Sequence, residues 1–268
     1  MKDNNNNSID KGKYIIAHSE NLLKKRKKKK KVRKLILLAI IMVSTLVTLC
    51  FKLPYFNITK IEIVGNVNVP ITKINEQINT HLNSNIFYAS FVDSKSDIVK
   101  NPYTLDVTIK KVLPNKIIIQ LEERVAVFYG EVKDTYYIID NKGVLLEKRS
   151  NIKDMNIVNL VGIDFENSQV GNTVISEDRK INIASNISNI INEYRKTKNN
   201  IIISSVDISN VLDLKVYSGK MCIKLGTTED LENKFNKAIN ILSQPKYKAA
   251  KGYVDVSFKG PPVVFIEE

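Results

Sequence analysis

Apolar and polar positions follow three different periods along this chain. From residue 35 to residue 51 only Ser44, Thr45 and Thr48 interrupt seventeen uncharged positions, the pattern of a helix that is hydrophobic all round. At 1.5 Å per residue such a run reaches about 25 Å, slightly short of the ~30 Å hydrocarbon core of a bilayer. Val32 and the stems of Arg33 and Lys34 extend it by snorkelling. A transmembrane helix over residues 32–52 is therefore expected, with Phe51, Tyr55 and Phe56 where an outer aromatic belt sits.

Beyond the span the period falls to two. Ile58, Ile61 and Ile63 alternate on a strand that ends at the turn pair Gly65-Asn66. Pro70 suits the first turn of a helix, and Ile71, Ile74, Ile78 and Leu82 share one face at helical spacing. A second short helix is expected over residues 93–100, stopped by Asn101-Pro102. Leu105, Val107 and Ile109 then alternate toward the core, Pro114-Asn115 turns the chain, and Ile117, Ile119 and Leu121 alternate on the return. The order β-α-α-β-β in about seventy residues gives a small sheet with helices on one face. Ile63, Ile74, Ile78, Val107, Ile109, Ile117 and Ile119 are its expected core.

From Val125 onward the pattern is mainly β. "YYIIDNKGVLLEK" reads as a hairpin turning at residues 140–143, while Leu160-Val161-Gly162 and Gly171 read as loop. Ile181, Ala184, Ile187, Ile191 and Tyr194 form a helix face, as do Leu231, Phe235, Ala238, Ile239 and Leu242. Thr227 and Asp230 are spaced like a capping box before the second of these helices. Between the two helices "IIISSVDISNVLDLKVYSGKMCIKLG" supplies three strands, and "YVDVSFKGPPVVFIEE" supplies two more around Gly260-Pro261-Pro262.

Charge settles what the leader is for. Lys24, Lys25, Arg26, Lys27, Lys28, Lys29, Lys30, Lys31, Arg33 and Lys34 put ten cations into eleven positions directly before the span, and Lys52 stands alone just after it. The positive-inside rule keeps that block in the cytoplasm and sends residues 52–268 outward. In a soluble protein such a run reads as a nuclear or nucleic-acid patch. Abutting a span, it reads as a topological lock that also attracts anionic lipid. Of the 41 Lys and Arg, thirteen lie in residues 1–34, so the other 234 residues carry 28 cations against 25 acids. That near-balance argues against a nucleic-acid-binding body. A cleaved signal peptide fits poorly, because the leader is long and Leu49-Cys50-Phe51-Lys52 offers no small-residue cleavage site. Residues 1–23 are polar and Asn-rich and read as a disordered tail.

No catalytic set emerges. His81 and Cys222 are the single histidine and cysteine beyond the span, and they fall in different expected domains. Cys222 alternates onto the lysine-bearing face of its strand, where an incidental thiol is the simpler reading. Zinc fails on ligand count, and no G-x-S-x-G, H-E-x-x-H or phosphate-cradling glycine loop occurs. The pairs Glu122-Glu123, Glu229-Asp230 and Glu267-Glu268 are better read as surface or helix-end charges than as acid–base pairs. Asp207 and Asp255, in "SVDIS" and "YVDVS", read as turn caps or core hydrogen-bonders. Neither a cofactor nor a metal is expected.

The fold class expected is thus α+β: a disordered basic tail (1–31), one transmembrane helix (32–52), a β-α-α-β-β domain (53–124) and a β-rich domain with two helices (125–268). The opening "F-x-I-x-x-I-x-I-x-G-N" at residues 56–66 and the hairpin "L-P-N-x-I-x-I-x-L-x-E-R" at residues 113–124 resemble the POTRA domain of the FtsQ/DivIB cell-division family. "Y-Y-I-I-D-N-K-G", "S-S-V-D-I-S-N", "L-G-T-T-E-D-L-x-x-K" and "Y-V-D-V-S-F" fall in the order of that family's second domain. The resemblance covers about residues 24–266. It implies a non-enzymatic scaffold at the division septum of the cell membrane, binding bitopic coiled-coil proteins of the FtsL and DivIC/FtsB types and regulating septal peptidoglycan synthases. Membrane lipid is the other partner implied by the chain, and nucleic acid is not one. Two other classes remain open: a membrane-anchored cell-wall hydrolase or transpeptidase, and a POTRA-type chaperone or secretion component.

One stretch suggests where a partner binds. Tandem prolines fit only an edge position or the start of a strand, because proline gives no N–H to a ladder. Val263, Val264, Phe265 and Ile266 follow them, and four apolar residues on an open edge invite a partner strand. The resemblance implies the same use for this strand and for the preceding aromatic, Phe258.

Overall fold

A computed structural model describes residues 4–196, 201–247 and 249–267, with side chains described from Arg26 onward. A helix, α1, runs Asn4–Lys52. One apolar helical stretch within it, Arg26–Lys52, is long and apolar enough to cross a membrane, and none of it is buried by the rest of the protein. Residues 4–23, expected as a disordered tail, take helical backbone continuous with the span. Residues 1–23 are polar and Asn-rich, the composition of a tail.

The described chain forms two compact units. One takes in the residues up to Ile61 with His81–Ser90 and Lys111–Ile117, and the other takes in Glu62–Thr80, Phe91–Lys110 and the chain from Ile118 onward. The β-α-α-β-β order is present: β1 Lys60–Val64, α2 Ile71–Ile78, α3 Val92–Val99, β2 Thr104–Val112 and β3 Lys116–Glu123. The three strands form a sheet in the order β1-β3-β2. Pro70 caps α2 from an extended conformation, as its fixed φ favours, and Ser94 donates to the Gln77 carbonyl at 2.9 Å, tying α3 to α2. Gly65 turns the chain after β1 at φ +87°, where a side-chain carbon would strike the Leu121 carbonyl. That close approach admits only glycine.

The core expected here is largely present, with one face corrected. Ile74, Ile78, Val107, Ile117, Ile119 and Leu121 are buried. Ile63 and Ile109 are only half-buried, and Leu105 is exposed. Alternation breaks between Thr104 and Val107, both buried. Leu105 and Asp106 between them both face outward, and Asp106 meets Lys95 at 3.2 Å. Strict period two, carried back from Val107, put Leu105 on the wrong face.

The described residues from Ala126 onward build one mixed sheet of nine strands in the order β12-β11-β10-β9-β8-β7-β4-β5-β6. They are β4 Ala126–Val132, β5 Thr135–Asp140, β6 Leu145–Arg149, β7 Val158–Val161, β8 Ser205–Asp207, β9 Leu214–Ser218, β10 Met221–Gly226, β11 Gly252–Asp255 and β12 Val263–Ile266. Two helices, α4 Asp178–Lys196 and α5 Leu231–Leu242, press their expected apolar stripes onto it. Ile187, Ile191, Phe235 and Ile239 join Val206, Val216, Ile223 and Val254 in one buried cluster. Two expectations fail. Leu160-Val161, read as loop, belongs to β7, which pairs in parallel with both β4 and β8. The capping box is absent: Asp230 sits in the left-handed region at φ 55° with no side-chain cap, and its carboxylate accepts instead from the Asn233 amide at 2.6 Å.

Candidate partner-binding edge

The nine-stranded sheet ends in two different ways. At one end β6 carries Glu147, Lys148 and Arg149. The loop beside β6 pairs with its start: Leu145 donates to Asn172 at 2.9 Å and Gly171 donates to Leu145 at 2.7 Å. Glu147 also accepts from the Tyr103 hydroxyl at 2.8 Å; burial, then the bond to Glu147 and its charge, push that phenol's pKa up. Arg149 forks onto Asp154, at 3.3 Å through each nitrogen. Charge and a covering loop are how sheet edges are protected from pairing.

At the other end β12 has neither device. It pairs antiparallel with β11, with Gly252 opposite Ile266, Tyr253 opposite Phe265, Val254 opposite Val264 and Asp255 opposite Val263, and among the described residues no strand lies beyond it. Glu267 donates to the Lys251 carbonyl at 2.8 Å. Antiparallel ladders alternate, so the residues bonded inward are Val263, Phe265 and Glu267. The N–H and C=O groups of Val264 and Ile266 point outward, free to bond a further strand.

Of the side chains of this edge, only Val264 turns clearly inward; Ile266, on the same face by period two, lies exposed at the strand's end. Val264 is half-buried and packs against the core cluster. Val263, Phe265 and Ile266 are 47%, 48% and 44% exposed, a large apolar share for so short a strand. Phe265 stacks on Tyr253 with ring centroids 5.3 Å apart, and the Lys224 ammonium lies 3.7 Å from the centre of the Tyr253 ring. The Lys251–Glu267 ion pair closes the far end.

Phe258 stands at the near end, 46% exposed. Asp255 sets it there: its carboxylate accepts from the Ser257 amide at 3.0 Å and the Ser257 hydroxyl at 2.7 Å, turning the chain out of β11. Asp207 makes the matching turn after β8, accepting from the Ser209 amide at 2.9 Å. Both aspartates do the local work expected of them. A cleft lined by Lys234, Lys237, Val256, Phe258 and Pro262 opens beside the turn, with Lys259 held by Glu229 at 3.1 Å. The structure thus gathers Phe258, Val263, Phe265 and Ile266 as exposed apolar groups around one edge, with Val264 as their inward anchor. Arg26 to Arg33 and Lys34 lie exposed along α1, and the side chains of Lys24 and Lys25 lie outside the described residues.

Sequence reasoning missed Gly252. Its φ of +148° and its contact with the Phe265 carbonyl make it the residue that lets β12 lie against β11, and the glycine that opens a strand was the available signal. The other candidates resolve into structure. Cys222 is half-buried opposite Tyr217, and burial pushes its thiol pKa up, away from the thiolate that chemistry would need. Glu123 accepts from the amides of Val67, Asn68 and Val69 at 2.7–3.0 Å. Among the described residues no three His, Cys, Asp or Glu side chains stand together as metal ligands.

Comparison with known proteins finds two matching family domains and several similar relatives. Residues 56–124 match the POTRA domain, FtsQ-type, and residues 129–257 match the cell division protein FtsQ/DivIB C-terminal domain. The chain is 42% identical over 231 residues to the cell division protein DivIB of Clostridium botulinum (strain Loch Maree), covering 85% of this chain and 89% of that one. It is 41% identical to DivIB of Clostridium acetobutylicum over 226 residues, covering 84% and 89%, and 40% identical to DivIB of Clostridium tetani over 232 residues, covering 85% and 86%. With relatives this similar over most of both lengths, the chain belongs to the FtsQ/DivIB family of cell-division proteins.

Proposed function

We propose that the protein works as a non-enzymatic scaffold of the division machinery, and that β12 is where it takes hold of a partner. The observation that carries this reading is the contrast between the two sheet edges: β6 charged and covered, β12 apolar with the backbone groups of Val264 and Ile266 turned outward. An extended segment laid along β12 gains main-chain bonds for affinity. The exposed side chains of Phe258, Val263, Phe265 and Ile266 supply the contacts that discriminate one partner from another.

The partner chemistry this favours is an extended apolar tail on a bitopic coiled-coil division protein of the FtsL or DivIC/FtsB type, with septal peptidoglycan synthases as the activity regulated. The basic block keeps the tail of residues 1–31 in the cytoplasm, residues 32–52 cross the cell membrane at the septum, and the domains over 53–124 and 125–268 work outside. A photo-crosslinking amino acid placed at Phe265 of the full chain in dividing cells tests this directly. Adducts with a coiled-coil division protein are expected, and adducts with none of them would remove the reading.

A further inference from the structure

The loop over residues 85–89 lies more than thirty positions from the span in sequence, yet it is fastened to the span's last turn. The Asn85 side-chain amide donates to the carbonyls of Cys50 and Phe51 at 3.0 and 3.2 Å. These are carbonyls that a helix end otherwise leaves without intrahelical partners, so Asn85 caps the spanning helix from another part of the chain. The same side chain accepts from the Phe87 amide at 3.0 Å, an Asx turn that presents Phe87. Ile86 donates to the Phe56 carbonyl at 2.9 Å, and the Lys111 ammonium holds the Ala89 carbonyl at 2.8 Å.

That fastening sets the depth of two rings. Phe87 meets Phe51 edge-on with centroids 5.7 Å apart, and Tyr88 lies 4.6 Å from Phe51. Phe56 adds a further contact to Phe87 at 5.3 Å. Phe51 is the final residue of the apolar run, so rings stacked on it share its depth wherever the bilayer ends. The run is a few ångströms shorter than an average hydrocarbon core, about 25 Å against about 30 Å, which draws the flanking residues toward the membrane. Tyr88 is 68% and Phe87 39% exposed. That is a poor arrangement in water and the expected one for aromatic rings at a headgroup boundary, where a tyrosine has its body in an apolar layer and its hydroxyl in a wet one.

We propose that the 85–89 loop is a second membrane-interface anchor, with Phe87 and Tyr88 seated at the outer lipid boundary beside Phe51. The inference rests on residues 32–52 being a retained span. Its consequence is mechanical: the chain meets the membrane boundary at two segments, the end of the span and the 85–89 loop. The occupant is lipid, because continuity with the span puts the rings at lipid depth without any further protein.

The chain contains no tryptophan, so Tyr88→Trp gives a single reporter at a site exposed enough to accept it. The full chain carrying Tyr88→Trp is reconstituted in vesicles of phosphatidylethanolamine and phosphatidylglycerol, with acyl chains brominated near the headgroup end, and Leu37→Trp serves as the reporter inside the span. Tyr88→Trp should show blue-shifted emission, loss of intensity on brominated lipid and little loss with aqueous acrylamide. Adding Asn85→Ala should reverse those preferences. If Leu37→Trp is quenched by the lipid while Tyr88→Trp is quenched by acrylamide alone, the loop anchor is overturned and the span stands. If neither is quenched by the lipid, the retained span is overturned and the loop anchor with it.

Discussion

Gly252 lies directly beneath the carbonyl of Phe265, and a side-chain carbon placed on it has no room without pushing β12 away from β11. Gly252→Ala is therefore expected to loosen the outermost strand while the remaining eight stay paired. Amide exchange at Glu267, whose N–H is bonded to Lys251, should accelerate, and exchange at the buried Ile223 and Val216 should not. Equal acceleration at all three would show that β12 and the sheet interior open together.

The corrected strand face separates two isoleucines that the alternation treated alike. Ile119 is fully buried and Ile109 half-buried. Ile119→Ala should cost about 2–5 kcal/mol in a urea melt, the usual range for a buried isoleucine, and Ile109→Ala less than about 2 kcal/mol. Equal losses would restore Ile109 to the core.

Acid should weaken the clamp at Glu123. Partial burial pushes that carboxyl up, but the amides of Val69, Asn68 and Val67 and the Asn68 side chain together outweigh it and hold the group below its ordinary value. A carboxyl with a depressed folded-state pKa stabilises above its unfolded value, about 4.3 for glutamate, and that contribution is lost as pH falls through the lower folded value. Glu123→Gln should lower stability by about 1–3 kcal/mol at neutral pH and flatten its decline below about pH 4.3. A decline as steep as that of the unaltered chain would place the acid-sensitive group elsewhere.

The proposed orientation rests on the cations. With residues 24–31 replaced by neutral ones, the remaining asymmetry across the span is small, and protease protection of the domains beyond the span should become mixed. Unchanged protection would transfer the topological signal to Arg33 and Lys34 or to a later segment.

Local periodicity made the span, the five elements of the first domain and the apolar stripes of α4 and α5 legible, because each repeats at a fixed spacing within a short window. The scaffold reading came from the resemblance, since no residue pattern states a partner. What stayed hidden depends on distance along the chain. The strand β7 is four residues long and is held by parallel neighbours from opposite sides in sequence, β4 and β8, so no hairpin signal announces it. The β4–β5 hairpin turns on Lys133 and Asp134 at φ 49° and 62°, residues that give little of the Asn-Gly signal such turns usually carry. Arg124 and the buried Asp140 meet at 2.8 Å across sixteen positions, and Tyr103 reaches Glu147 across forty-four. Polar pairing at such separations has no period to read. The candidate edge was visible because proline chemistry is local; Gly252, which holds that edge in place, was not, because its role depends on the close approach of the Phe265 carbonyl, which the order of strands alone does not show.

The central claim is that a partner adds a strand along the outer side of β12. Val264→Pro removes one outward N–H while the inward bonds of Val263, Phe265 and Glu267 stay. The decisive measurement is the affinity of the full chain in lipid nanodiscs for the extracytoplasmic region of a DivIC-type partner, compared among the unaltered chain, Val264→Pro and a deletion of residues 262–268. Loss of one main-chain bond of about 1.4 kcal/mol predicts at least tenfold weaker binding for Val264→Pro, and the deletion should bind nothing with the rest of the sheet still folded. Binding at full strength by the deleted chain would contradict the account and place the interface elsewhere.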